Sequence, residues 1–131
     1  ERYARNLIRL GSQYAAFCLC WKPGQASPIH DHRGSSCGVR VIRGTASETI
    51  YERGEDGLLV KRDETAYPVG HVCGSYDNDI HCMYNGSETE GLVTLHIYTP
   101  PLSEISTYEL GTTKVKSWRD EETLLARSGK V

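Results

Sequence analysis

Alternation of apolar and polar residues along the chain predicts short β-strands rather than helices. The runs are bounded by Gly, Pro, Asn, Asp and Ser, the residues that favour turns. Strands are predicted over residues 5–10, 14–21, 29–32, 37–43, 46–51, 58–67, 72–76, 80–84, 92–98 and 113–118. Many short strands separated by turns are typical of a sandwich or barrel. We therefore expect an all-β fold, followed by a charged tail, residues 119–131, that forms a short helix or frays.

Length and charge narrow the class of protein. The 131 residues suffice for one domain, residues 1–131, with a substantial core. The 15 basic and 17 acidic residues are nearly balanced and the basic ones form no cluster, which argues against nucleic acid as a partner. No apolar run reaches the length of about 18 residues that a membrane span needs, so a cytoplasmic protein is expected. The five cysteines are an odd number without repeated spacing, which argues against a disulfide framework.

Two histidines between Gly24 and Gly44 are the first candidate functional residues. His30 and His32 are two positions apart, so in an extended strand both imidazoles point to the same face. Imidazole is the commonest nitrogen ligand of transition metals at neutral pH. The pair alone is equally compatible with a polar strand face toward solvent. Asp31 points to the opposite face, where a structural hydrogen bond is expected.

A second polar pattern lies in the predicted strand 92–98. Thr94, His96 and Tyr98 alternate with apolar residues and therefore share one face. A hydroxyl group can fix the tautomer of His96, whose other ring nitrogen can then meet the phenol. The alternative is a polar stripe on an exposed strand. Arg5 offers a planar guanidinium suited to two-point binding of a carboxylate, although an arginine near a strand end is usually only solvated.

The spacing of these residues resembles that of the cupin family. Two motifs carry the resemblance: Gly24, His30-x-His32 and Gly44 for the first, and His81-x-x-x-Asn85 for the end of the second. It implies a double-stranded β-helix, a small barrel with a metal ion inside. Where many cupins carry a glutamate ligand shortly after the histidine pair, this chain has Cys37. Three histidines with a vacant position suit iron or zinc, and ligand type alone does not choose between them.

A closer resemblance is to the cysteine dioxygenases, the thiol dioxygenases among the cupins. The stretches that carry it are RYARNL at residues 2–7, LCW at 19–21, SPIHDH at 27–32, Cys37, His81 and LHIYTPP at 95–101. Their order and spacing agree over nearly the whole chain. The helical part that precedes the barrel in this family is absent from the sequence, which is compatible with a natural chain that extends upstream of Glu1.

The resemblance implies a metal and substrate site. His30, His32 and His81 would be the ligands of Fe(II). Arg5 would pair with the carboxylate of the substrate, and Tyr3 would lie near it.

The resemblance also implies a relay beside the metal. Thr94, His96 and Tyr98 match a Ser-His-Tyr relay, with threonine in place of serine. Cys37 matches the cysteine that forms a thioether with the active-site tyrosine, here Tyr98. Without the resemblance, Cys37 is equally well interpreted as a small buried residue. The family further shows a cis peptide bond at the position of Thr99-Pro100, where an X-Pro bond allows one.

The activity that the resemblance implies is the oxidation of L-cysteine by O2 to cysteine sulfinic acid, by a monomeric Fe(II) enzyme. One alternative is a dioxygenase for 3-mercaptopropionate, since related enzymes with that substrate carry glutamine in place of Arg5. Another is a metal-binding cupin without turnover. A cupin isomerase, or a dioxygenase for another acid, would give the pair Cys37 and Tyr98 no role.

Overall fold

The computed structural model describes residues 1–121, 123–124 and 128. These residues form eleven strands, and every pairing between them is antiparallel. The strands are β1 (Ala4–Leu10), β2 (Ala15–Trp21), β3 (Ile29–His30), β4 (Ser36–Arg43), β5 (Ala46–Arg53), β6 (Leu59–Tyr67), β7 (Val72–Ser75), β8 (Ile80–Tyr84), β9 (Leu92–Thr99), β10 (Glu104–Tyr108) and β11 (Val115–Arg119).

The strands are arranged in two sheets. One has the order β1-β2-β9-β4-β7 and the other the order β11-β10-β3-β8-β5-β6. Consecutive strands are often not neighbours, because the chain crosses repeatedly from one sheet to the other, as it does between β4 and β5. The all-β fold and the double-stranded β-helix predicted from the sequence are therefore confirmed.

The core lies between the sheets and is filled by the inward side of each strand. Both sheets contribute to its cluster of buried apolar residues, which comprises Leu19, Trp21, Cys37, Val39, Val41, Ala46, Met83, Leu92 and Tyr98. Burial alternates along β9, where Leu92, Thr94, His96 and Tyr98 are buried and the residues between them are less so. The polar side chains of β9 thus point into the barrel and not to solvent, which excludes the exposed stripe considered from the sequence.

Strand β10 was not predicted from the sequence. It pairs with β3 and β11, and Asp31 fastens it to β3. One carboxylate oxygen of Asp31 accepts a hydrogen bond from the Ser106 N–H and the other from the Tyr108 hydroxyl, both at 2.8 Å. Asp31 therefore has the structural role expected of it. Strand β3 also ends two residues earlier than predicted, because the His32 N–H leaves the ladder and donates to the Asp77 carbonyl.

The predicted tail begins inside a strand, since β11 continues to Arg119. After it, Glu121, Thr123 and Leu124 are helical, and the Leu124 N–H donates to the Asp120 carbonyl at 3.0 Å. The remainder of the predicted tail, residues 122, 125–127 and 129–131, lies outside the described residues.

In the part of the chain that is described, no helix has the length and apolar character needed to span a membrane. The Thr99–Pro100 peptide bond is cis, as predicted.

Gly44 carries the chain from one sheet to the other at a close backbone approach. Its φ is +79°, and a Cβ placed on it would lie 2.6 Å from the Gly91 carbonyl oxygen. Gly24 has nearly the same φ, +77°, with open space around it. We expect Gly24→Ala to lower the free energy of unfolding by about 1–2 kcal/mol, the cost of the left-handed conformation. We expect Gly44→Ala to cost about 1–3 kcal/mol more, because the backbone must also move. Urea unfolding of both variants measures the difference, and equal losses would contradict it.

Candidate metal centre and active site

Three histidines converge inside the barrel, two from β3 and the residues that follow it and one from β8. His30 lies directly opposite His81 in the register of β3 and β8, and His32 follows β3. The Nε2 atom of His32 is 3.2 Å from the Nε2 of His30 and 3.4 Å from the Nε2 of His81. The candidate ligand nitrogens of all three lie within 4.8 Å of one another. The structure thus brings together the three residues predicted as metal ligands.

At each of these histidines the other ring nitrogen, Nδ1, has a hydrogen-bond partner. The partners are the Pro28 carbonyl at 2.8 Å for His30, the Ser75 hydroxyl at 3.2 Å for His32 and the Glu48 carboxylate at 2.6 Å for His81. A carbonyl and a carboxylate only accept, so Nδ1 carries the proton in His30 and His81. The Nε2 of each then presents a lone pair to the centre of the cluster, which is the tautomer that a metal ion requires.

Burial holds the imidazoles of His30 and His32 in their neutral form. It lowers the pKa of His30 to about 4, and the neighbouring His81 lowers it further. Burial also lowers the pKa of His32 to about 2, with His30 and His81 adding to the effect. The Nε2 lone pairs of His30 and His81 point to one centre, where they repel one another unless a cation or a hydrogen atom lies between them. Separations of 3.2 and 3.4 Å also suit nitrogens that share one ion at bond lengths of about 2.1 Å. The residues present therefore fit a divalent metal ion.

A second hydrogen-bonded chain runs along the inner face of the other sheet. The Trp21 indole N–H donates to the Thr94 hydroxyl oxygen at 3.0 Å. The Thr94 oxygen is 2.9 Å from Nε2 of His96, and Nδ1 of His96 is 3.3 Å from the Tyr98 hydroxyl. An indole only donates, so the Thr94 hydroxyl hydrogen is available to Nε2 of His96. Nδ1 of His96 then carries the ring hydrogen and donates a hydrogen bond to the Tyr98 oxygen.

The direction of the hydrogen bonds in this relay leaves the Tyr98 hydroxyl hydrogen available for another acceptor. Burial lowers the pKa of His96 to about 3, so the ring is neutral and supplies one proton only. Burial, with the nearby Cys37, raises the pKa of Tyr98 well above its usual value, so the phenol keeps its hydrogen. The Tyr98 ring centroid is 5.8 Å from that of His32. The relay thus ends in a hydrogen-bond donor beside the histidine cluster.

Cys37 and Tyr98 lie opposite each other on β4 and β9. The Cys37 sulfur is 3.9 Å from Nδ1 of His96, the ring nitrogen that also faces the Tyr98 hydroxyl. Burial raises the pKa of Cys37 to about 12, so it is present as the thiol. The structure therefore brings together the two residues of the predicted thioether.

Arg5, on β1, and Tyr3, which precedes that strand, approach the site from positions two apart along the chain. The Tyr3 ring stacks on that of Trp21 with centroids 4.0 Å apart. The Arg5 guanidinium lies over the Phe17 ring, 4.5 Å from its centroid, and the residue remains exposed. Phe17 lies opposite His96 in the register of β2 and β9. Arg5 is thus placed at the rim of the inner face that carries the relay.

Three contributors to the site were not predicted from the sequence in these roles. Glu48 and Ser75 orient two of the histidines, and Trp21 fixes the direction of the relay. Glu48 lies between the apolar residues Ala46 and Ile50 at a spacing of two positions, which places all three on one face of a strand. That signal was available. The partners of Glu48 and Ser75 were not, because they lie on other strands.

The chain is similar to known proteins both in sequence and in fold. Residues 1–110 match the sequence profile of the family described as cysteine dioxygenase type I. The chain belongs to the cysteine dioxygenase family. Cysteine dioxygenase type 1 of the rat and of human are each 32% identical to it over 114 residues, as is the zebrafish protein over 115 residues. These matches cover 82% of this chain but 56% of each relative, so the chain spans about half the length of the curated relatives it matches.

Solved structures agree with the fold of this cysteine dioxygenase family member. A conserved protein with a double-stranded β-helix domain from Klebsiella pneumoniae matches with a TM-score of 0.65 at 18% identity, over 82% of this chain and 80% of that one. A cupin family protein from Methanocaldococcus jannaschii matches with a TM-score of 0.61 at 13% identity, over 75% and 80% of the two chains. At these identities the likeness establishes the cupin fold alone. Family and histidine cluster together indicate a metal site.

Proposed function

We propose that this chain forms the barrel of an Fe(II)-dependent thiol dioxygenase that converts L-cysteine and O2 to cysteine sulfinic acid. One observation carries the proposal: in a chain of the cysteine dioxygenase family, three Nε2 atoms converge next to the donor end of a buried relay. His30, His32 and His81 would hold the ion. When bound, Fe(II) would supply the redox chemistry and open positions for thiolate and O2.

Arg5 would hold the far end of the substrate. Its guanidinium can bind a carboxylate through two parallel hydrogen bonds, and the Phe17 ring beneath restricts its orientation. Fixing the carboxylate at the rim would place the thiol at the histidine cluster, which turns an encounter into an oriented approach. The hydroxyl of Tyr3, two positions before Arg5, would be the second polar contact there.

Tyr98 would act as a hydrogen-bond donor toward the reacting oxygen atoms or the carboxylate. Its hydroxyl hydrogen is available to an acceptor because of the direction of the relay, which begins at the indole of Trp21. A donor that is already oriented stabilises developing negative charge without reorganisation during the reaction. A thioether with Cys37 would restrict the phenol further. Its formation would take one hydrogen from the thiol and one from the ring carbon beside the hydroxyl, with O2 as the oxidant.

The test is anaerobic reconstitution of the protein with Fe(II), followed by measurement of O2 uptake and sulfinate with L-cysteine and, separately, with 3-mercaptopropionate. Turnover of cysteine is expected. Preference for 3-mercaptopropionate would reassign the substrate within the family. Stoichiometric iron without O2 uptake would overturn the enzymatic function and leave a metal-binding cupin.

Replacing Arg5 by glutamine tests the carboxylate contact. Hydrogen bonds to charged groups contribute about 1.5–3 kcal/mol, so we expect the KM for L-cysteine to rise about 10- to 100-fold with a smaller change in kcat. Arg9→Gln is the matched control, since Arg9 is an exposed arginine on the same strand and lies over the Tyr14 ring. Equal effects of the two substitutions on KM would show that Arg5 does not bind the substrate.

A further inference from the structure

Glu48 is a buried carboxylate at the edge of the histidine cluster. Only 5% of the residue is exposed, and it lies on β5 next to β8, the strand that carries His81. Carboxylates are rarely buried unless their charge is compensated. Each oxygen of Glu48 has one partner. Oε1 accepts from Nδ1–H of His81 at 2.6 Å, and Oε2 accepts from the Tyr67 hydroxyl at 3.1 Å.

Tyr67 fixes the orientation of Glu48 from the far side. It lies on β6, the strand that flanks β5, so the three residues form a line across adjacent strands. Burial and the carboxylate of Glu48 raise the pKa of Tyr67 to about 12, so its hydroxyl remains a donor. The carboxylate is therefore clamped between two donors, and one of them is the imidazole whose other nitrogen faces the cluster.

The three histidines differ in the charge of the group that holds their Nδ1. His30 donates to a backbone carbonyl, and His32 contacts a serine hydroxyl; both partners are neutral. His81 alone among the three donates to a carboxylate. A carboxylate that accepts from the far nitrogen of an imidazole raises the basicity of the near one. His81 is therefore the most strongly donating of the three candidate ligands.

We propose that Glu48 is a positioning residue that supplies, through His81, the negative charge that three neutral ligands do not give to the metal ion. The direct ligand set carries no charge, and Cys37 replaces the carboxylate ligand of many cupins. Glu48 acts on the same ion indirectly, through its hydrogen bond to His81. This strengthens metal binding and leaves the open coordination positions for the substrate. The inference rests on the metal-binding part of the proposed function, not on the reaction.

Replacing Glu48 by glutamine removes the charge and keeps the shape. The glutamine carbonyl can still accept from His81, and its amide can donate to the Tyr67 oxygen. The full chain, stripped of metal, is titrated with Co(II) and with Zn(II) in competition with a chromophoric chelator. We expect both ions to bind about 10- to 100-fold more weakly to Glu48→Gln than to the wild type. Glu64→Gln is the control, because it removes an exposed glutamate that accepts a hydrogen bond from the Tyr84 hydroxyl.

Two further measurements separate charge from structure. Thermal unfolding of the metal-free protein should show Glu48→Gln to be as stable as the wild type or more so, because a buried charge has been removed. Tyr67→Phe keeps the charge and loses one clamp, so its loss of affinity should be smaller than that of Glu48→Gln. Unchanged affinity in Glu48→Gln would overturn the proposal. So would a loss of affinity that is matched by a loss of metal-free stability, or by an equal loss in Tyr67→Phe. Absence of dioxygenase activity would leave these results in place.

Discussion

Tyr98→Phe is expected to lower kcat for cysteine oxidation by about 100-fold or more, while the metal affinity and the KM change much less. The substitution removes the hydroxyl that the relay orients and leaves the ring in the core. Loss of one positioned donor or proton-transfer group typically costs a factor of about 100 to 1,000. The measurement is sulfinate formation at saturating L-cysteine and O2, with the iron content of each preparation determined.

Two companion variants identify which property of Tyr98 matters. Cys37→Ser prevents a thioether but keeps the hydroxyl of Tyr98, so its kcat should fall by less than that of Tyr98→Phe. Tyr76→Phe removes the hydroxyl of an exposed tyrosine and should leave kcat unchanged. If Tyr98→Phe retained a third or more of the wild-type kcat, the phenol would have no part in the reaction and the relay would be a structural network.

The relay could be predicted from sequence because it lies on one strand. Thr94, His96 and Tyr98 are two positions apart, and a strand places such residues on one face whatever surrounds it. The sequence did not determine whether that face was inward. Nor could it identify Trp21 as the first donor, since Trp21 and Thr94 are 73 positions apart and meet only when β2 pairs with β9.

Glu48 shows why the rest of the site was missed. A glutamate in an alternating strand is usually solvated, and its burial here depends on donors 33 and 19 positions away. Strand β10 was missed for a related reason. Its sequence, EISTY, has little apolar alternation, and the bonds that fasten it to β3 come from Asp31, 75 and 77 positions earlier. The local pattern of apolar and polar residues predicts single strands. The burial of Glu48 and the pairing of β10 depend instead on contacts between strands that are far apart in the sequence.

Acidification is expected to destabilise the metal-free protein, with His96 as one identifiable cause. The folded protein holds the pKa of His96 at about 3, below the ordinary value of 6.5. As the pH falls, His96 is therefore protonated near pH 6.5 in the unfolded chain but only near pH 3 in the folded protein. Stability from this group is complete above pH 6.5 and falls with pH between these values, by about 1.4 kcal/mol per pH unit. Between pH 6.5 and pH 5 the loss is about 2 kcal/mol.

His96→Gln isolates this contribution, because glutamine has no charge to gain. The variant will have its own stability at neutral pH, so the informative quantity is the slope of the unfolding free energy against pH and not its value. His30 and His32, whose pKa values are also lowered by burial, destabilise both proteins in acid and cancel in the comparison. Urea unfolding in the presence of a chelator, at pH 7 and pH 5, should show the wild type losing about 2 kcal/mol more than the variant. Parallel slopes would mean that His96 can be protonated in the folded protein, and the direction assigned to the relay would then be wrong.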